Sequence, residues 1–150
     1  MISIIQRVSE AKVTVDGIAI GTIGTGIMAL VAVEKQDDKA QADRLLERIL
    51  NYRIFADADD KMNLSLRDIS GGLLIVPQFT LAADTQKGNR PSFTSAAAPE
   101  MGRRLFDYFQ QQAEKLYPGS QFGRFGADMK VALINDGPVT FTLRCQAAGV

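Results

Sequence analysis

The sequence predicts a single α/β domain built on a mixed, largely antiparallel β-sheet with two main helices. Three observations lead there. The first third runs in short β-branched, partly alternating stretches, two later segments place apolar residues at helical spacing, and two more strand-like runs close the chain. At 150 residues the chain is about one domain long, and no linker, repeat or charge block divides residues 1–150.

Residues 2–8 and 11–15 read as strands. Asp16-Gly17 is a hairpin signal between Val13-Thr14-Val15 and Ile18-Ala19-Ile20. Gly21, Gly24 and Gly26 precede residues 27–33, which are apolar on both faces and read as a central strand. A dinucleotide-binding fingerprint would place a helix after its glycines; here a strand follows, so these are read as turn glycines. Residues 38–52 put Ala42, Leu45, Leu46, Ile49 and Leu50 on one helical face. Asp57-Ala58-Asp59-Asp60-Lys61-Met62-Asn63 fails as a calcium loop because Lys61 stands at a ligand position and the turn glycine is missing. It reads as a solvated turn.

Leu73-Leu74-Ile75-Val76 is a buried strand that meets Pro77, whose missing N–H should change the pairing there. Residues 82–98 form a loop long enough to suggest function. Residues 99–117 repeat the helical pattern, with Pro99 in the first turn. Residues 129–134 and 139–143 read as strands around Asn135-Asp136-Gly137-Pro138, a turn sequence that suits a hairpin.

The chain contains no histidine, which excludes Ser-His-Asp and Cys-His catalysis and the H-E-x-x-H zinc site. One cysteine, Cys145, excludes internal disulfides and Cys-rich zinc sites and has no imidazole to activate it. No metal or cofactor is called for. The 17 basic and 17 acidic residues balance, so no global field attracts nucleic acid. The longest apolar run is far short of a membrane span, and the N-terminal residues lack the pattern of a signal peptide, so a cytoplasmic protein is expected.

Two segments can carry chemistry. Pro77-Gln78-Phe79-Thr80-Leu81, at the end of a buried strand, can present Gln78, Thr80 and the Phe79 N–H to a pocket, or can simply end the strand. Lys87-Gly88-Asn89-Arg90-Pro91-Ser92 is a cationic loop suited to a phosphate or an RNA end, or to solvent alone.

Together the segments resemble the D-aminoacyl-tRNA deacylase family, also called D-tyrosyl-tRNA deacylase. The resemblance is carried by Ile4-Ile5-Gln6-Arg7-Val8, Tyr52-Arg53-Ile54-Phe55, Lys61-Met62-Asn63-Leu64, Gln78-Phe79-Thr80-Leu81-Ala82-Ala83-Asp84-Thr85, Arg90-Pro91-Ser92-Phe93, Gly123-Arg124-Phe125 and Asn135-Asp136-Gly137-Pro138-Val139-Thr140. It implies that family's fold, a homodimer with active sites at the interface, and hydrolysis of the ester joining a D-amino acid to tRNA. Gln78, Phe79 and Thr80 would line the catalytic pocket. Gly137-Pro138 matches the family's Gly-cisPro motif, whose carbonyl oxygens enter the partner's pocket and crowd an L side chain, and Arg7 matches the residue that braces it. Lys87 and Arg90 are the candidate tRNA contacts. The resemblance further implies assistance from the ribose 2′-hydroxyl, which suits a chain without histidine. A threonine without a base is a poorly activated nucleophile.

One departure is Pro77, where the family's first motif usually has serine; a hydroxyl and an N–H are both absent. Two other readings stay open: a non-catalytic RNA-binding dimer, and a small-molecule esterase that depends on Thr80.

Overall fold

The computed structural model describes residues 1–149. Its elements are β1 (Ile2–Val15), β2 (Ile18–Ile23), β3 (Gly26–Ala32), α1 (Lys39–Asn51), β4 (Phe55–Ala56), β5 (Met62–Leu64), α2 (Leu66–Ile69), β6 (Gly72–Pro77), α3 (Pro99–Leu116), β7 (Gln121–Phe122) and β8 (Lys130–Arg144). A single 3-10 turn, Phe79–Ala82, follows β6. The main sheet runs β2-β1-β3-β6-β7, with β8 on the other edge of β1. β1 is antiparallel to β2, β3 and β8, whereas β6 is parallel to both β3 and β7. The expected mixed, mostly antiparallel sheet with two main helices is what forms, and α2 is a third, short helix.

Three sequence expectations change in detail. Residues 2–15 form one long strand, because β8 pairs with it along nearly its whole length and bridges the break in its alternation. Gly21 and Gly26 lie in strands and serve close approach. A Cβ on Gly26 would stand 1.9 Å from the Gly72 carbonyl oxygen, and one on Gly21 would stand 3.3 Å from that of Phe122. At Gly26 only glycine lets the backbones meet, whereas at Gly21 a side chain would push its neighbours aside by a few tenths of an ångström.

The third change concerns residues 135–138, which do not reverse the chain. β8 continues past them along the same partner: Val8 faces Asn135 and Gln6 faces Thr140, so four residues bulge out opposite Arg7. A hairpin would have folded residues 139–143 back onto 129–134; β1 captures both halves instead. The Asp16-Gly17 hairpin does form, with φ of 49° and 77°, as a type I′ turn requires.

Asp38 caps α1 reciprocally with Gln41, as the Ala40 N–H donates to Asp38 Oδ1 at 2.9 Å and the Asp38 N–H to Gln41 Oε1 at 2.8 Å. The buried face of α1, including Leu45, Leu46 and Ile49, packs with Phe106 and Phe109 of α3 over one sheet face. Each such side chain contributes about 1.5–3 kcal/mol on burial. The opposite face holds a smaller core of Val8, Val13, Met28, Leu74 and Val76. The Met1 ammonium is buried against Asp37 Oδ1 at 2.7 Å, donates to the Cys145 carbonyl at 2.6 Å, and lies 3.6 Å from Glu34 Oε1. Arg144 forks onto the Glu34 carboxylate from β8.

Candidate active site

β6 delivers the site. In a parallel ladder successive residues turn their backbone groups to alternate neighbours. The Gln78 N–H donates to the Val31 carbonyl at 2.8 Å, and the Ile75 carbonyl accepts from the Gly123 N–H at 2.8 Å. The nitrogen of Pro77 therefore faces the β7 side, where the β6–β7 ladder has already ended at Ile75. Pairing does not change at Pro77 as expected: β7 stops before it and β3 pairs past it, so the sheet gives up no hydrogen bond to its missing N–H.

The chain then tightens into the 3-10 turn. Gln78 sits at its N-cap and gives it no side-chain hydrogen bond, so the Phe79 N–H, first in the turn, has no partner within it. The Gln78 side chain donates instead to Thr80 Oγ1 at 2.6 Å. Thr80 is exposed, and an amide beside its hydroxyl cannot act as a general base.

Next to this turn lies a cavity of about 230 Å³ lined by Val31, Val33, Pro77, Gln78, Phe79 and Ala97, with Phe106 and Phe125 as aromatic walls and Pro99, Gly102, Ala32 and Gly126 completing it. None of these residues is ionisable. Phe79 is 59% exposed and Phe93 42% exposed; their rings pack 5.3 Å apart at a tilt of 48°. The cavity is apolar, with backbone and amide groups at its edge.

Gly137–Pro138 is a cis peptide on the exposed bulge of β8. The bulge is held from two sides. Arg7 Nε donates to the Asp136 carbonyl at 3.0 Å while its Nη1 donates to the Ile54 carbonyl at 2.8 Å. Asn135 closes the base, accepting from the Val139 N–H at 2.9 Å and donating to Thr140 Oγ1 at 2.9 Å. Arg7 thus holds the bulge at the Asp136 carbonyl, next to Gly137. Neither Arg7 nor Gly137-Pro138 lines the chain's own cavity.

Lys87 and Arg90 are exposed on the loop between the 3-10 turn and α3 and do not line the cavity either. That loop is pinned by reciprocal backbone bonds between Asp84 and Ser92, at 2.7 and 3.0 Å, and reaches the site through Phe93. Sequence reasoning missed the structural part of Asn135 and the walls Phe106 and Phe125. Only a Gly-Arg-Phe segment without chemistry of its own pointed to Phe125.

Groups with displaced pKa values lie outside the cavity. Burial works to raise that of Glu34, but the hydrogen bond and charge of Arg144, with the terminal ammonium, outweigh it and hold the carboxyl low. Backbone N–H donors, that of Lys61 foremost, lower Asp57 in the turn between β4 and β5. Burial raises Tyr117, whose hydroxyl donates to the Gly71 carbonyl.

A mixed sheet with a strand-end pocket of apolar walls, main-chain donors and an amide defines a small α/β protein that positions a ligand and carries no ionisable group among its lining residues. Its sequence matches the family described as D-Tyr-tRNA(Tyr) deacylase over residues 4–144. The chain belongs to that family. It is 57% identical to a D-aminoacyl-tRNA deacylase of Cupriavidus pinatubonensis, covering 99% of both chains. It is 58% identical to the protein of that name from Methylococcus capsulatus, covering 97% of this chain and 95% of the relative. Among solved structures, one titled c-Myc DNA Unwinding Element Binding Protein superposes with a TM-score of 0.93 at 37% identity, covering 98% of this chain and 100% of that one.

Proposed function

We propose that this protein hydrolyses the ester of D-aminoacyl-tRNA, with the aminoacyl group held in the cavity at the end of β6. Family membership and relatives of that name over the full chain support the reaction class. The observation that carries the mechanism is the cavity's wall, which contains no ionisable side chain. Such a site works by orientation: apolar walls take the side chain, and the Phe79 N–H and Gln78 amide meet the acyl carbonyl as charge develops on it. A well-oriented group can lower a barrier by up to ~7–11 kcal/mol. Water adds to the acyl carbon, the ester bond breaks, and the leaving ribose oxygen takes a proton, with the adjacent 2′-hydroxyl assisting. Tyr, Lys or Asp relays are not required.

Gly137-Pro138 acts as the chirality filter, and it does so across a homodimer. Support comes from its exposure, its bracing by Arg7 and Asn135, and its absence from the chain's own cavity, together with the exposed Phe79–Phe93 pair that a partner would cover. A wall that excludes by clash rejects an L side chain strongly and has nothing to reject in glycine. Lys87 and Arg90 contact the tRNA, and the tRNA pool places the protein in the cytoplasm. Among the described residues no helix is long and apolar enough to cross a membrane.

Deacylation of matched D-, L- and glycyl-tRNA tests the reading. D and glycine should be cleaved and L spared. Cleavage of D but not glycyl esters would replace exclusion by positive recognition of the D side chain, and protection of every ester would favour an RNA-binding dimer.

A further inference from the structure

A second, polar groove of about 480 Å³ adjoins the apolar cavity, and the two share Phe106 and Phe125 as walls. Arg103 and Arg124 stand at this shared end. The Arg103 guanidinium lies 5.0 Å above the Phe125 ring, which itself packs 6.2 Å from Phe106. Arg124 precedes Phe125 in the chain, and a Cβ on Gly126 would stand 3.4 Å from Arg103 Nη2. Both arginines are exposed, and neither has an ion-pair partner among the described residues.

Charge along the groove is ordered. Arg103, Asp107, Gln110 and Glu114 line it from one face of α3, spaced as neighbours on a helix surface. Eleven residues at the helical rise put Glu114 roughly 16 Å from Arg103. The end next to the cavity carries both guanidinium groups; Asp107 follows one turn along α3 and Glu114 closes the far end. A polyanion entering from the cavity would meet two guanidinium groups at once and then be turned away.

Building on the proposed deacylase reading, we propose that Arg103 and Arg124 clamp the phosphodiester that joins the terminal nucleoside of the tRNA to the one before it. An aminoacyl ester seated in the apolar cavity has that phosphate as its nearest negative charge. A guanidinium held over the Phe125 ring keeps its N–H groups free for bidentate contact with phosphate. The acidic groups farther along turn the strand out of this groove after one contact, so the clamp fixes the reacting end and reads no sequence.

The test compares D-aminoacyl-tRNA with the same D-amino acid esterified to adenosine alone, which has no phosphate. Arg103→Ala and Arg124→Ala should each lower kcat/KM on the tRNA about tenfold more than on the adenosine ester, mostly through KM. Each should also reduce the salt slope of tRNA binding by about 0.7. Arg103→Lys keeps the charge and should restore part of the difference. Equal losses on both substrates would assign Arg103 to bracing Phe125 and overturn the clamp, as would no loss on either. Wild-type protein that cleaves neither ester would remove the deacylase reading itself, a result distinguishable from failure of the clamp alone.

Discussion

Two neighbouring regions at one end of the sheet handle charge in opposite ways. The last residues of β3 and its extension, Val31 to Val33, line the apolar cavity. The next residue, Glu34, belongs to a corner where an ammonium, two carboxylates and a guanidinium are packed together. In the corner every charge is matched, and all but the half-exposed Arg144 guanidinium are buried or nearly so; in the cavity none lines the wall. Charge concentration here marks a structural joint that ties the start of β1 to α1 and β8, and the cavity proposed for the chemistry lies where charge has been cleared away. A search for shifted ionisable groups as a sign of catalysis would have stopped one residue short.

The widest separation between the regions should appear in the substrate. With no base on the cavity wall, tRNA ending in 2′-deoxyadenosine should be cleaved about 10²–10⁴-fold more slowly than its ribo counterpart, the usual worth of a positioned proton-transfer group. Single-turnover rates on the two tRNAs measure it. Equal rates would mean that the protein supplies the missing group.

The corner should show its effect in stability. Asp37 neutralises the Met1 ammonium and also accepts the Glu34 N–H at 2.7 Å. Asp37→Ala strands a buried charge and should cost about 3–5 kcal/mol, read by urea unfolding. The rate per folded molecule should stay close to that of the wild type. A rate that fell with the stability unchanged would erase the distinction between the two regions.

Gly137 lies between these extremes, on the bulge that Arg7 holds. Its φ of +139° is one that glycine alone adopts readily, and an added Cβ would lie 2.6 Å from Val139 Cγ2. Gly137→Ala should therefore cost about 1–3 kcal/mol and shift the bulge off its Arg7 and Asn135 supports. If the bulge is the filter, discrimination between D- and L-aminoacyl-tRNA should narrow as well. Intact discrimination with lowered stability would reduce it to a structural loop.

Much of this was legible in the residues, for physical reasons that differ by element. The α1 and α3 faces announce themselves because apolar residues at helical spacing must meet one core. Asp16-Gly17 does so because few sequences accept two positive φ angles. The bulge at residues 135–138 was not legible: its composition is that of a hairpin turn, and only the length of β1 decides that the chain runs straight on. The short α2 was missed although Ser65 and Asp68 cap it reciprocally, because its four residues carry no period. Of the expected pocket residues, Gln78 and Phe79 line the cavity and Thr80 does not, whereas nothing in the sequence tied Phe106 or Phe125 to a cavity.

Acid titration separates the regions more gently. The folded-state pKa of Glu34 lies below its unfolded value, so its contribution is complete above the ordinary glutamate range and is lost as pH falls through the folded value. Glu34→Gln should lower Tm at neutral pH and flatten the acid limb of the stability curve. A wild-type limb retained in the variant would place the effect on other carboxylates.

The smallest change is expected where a nucleophile would predict the largest. Thr80 Oγ1 accepts from the Gln78 amide at 2.6 Å on an exposed turn. Removing it strands no buried group, because water can replace the hydroxyl as partner of the amide. If Thr80 only helps to orient Gln78, Thr80→Ala should cost less than about tenfold in kcat/KM, or ~1.4 kcal/mol of transition-state stabilisation. If it attacks the acyl carbon, the loss should exceed about a hundredfold, and Thr80→Ser should restore the rate by returning the hydroxyl. Gln78→Ala then sharpens the comparison. Were the amide a direct partner of the acyl carbonyl, its removal should cost more than that of Thr80, and the double variant little more than Gln78→Ala alone, since the hydroxyl would act only through the amide. Additive losses would show the hydroxyl acting by itself and would return Thr80 to the chemistry.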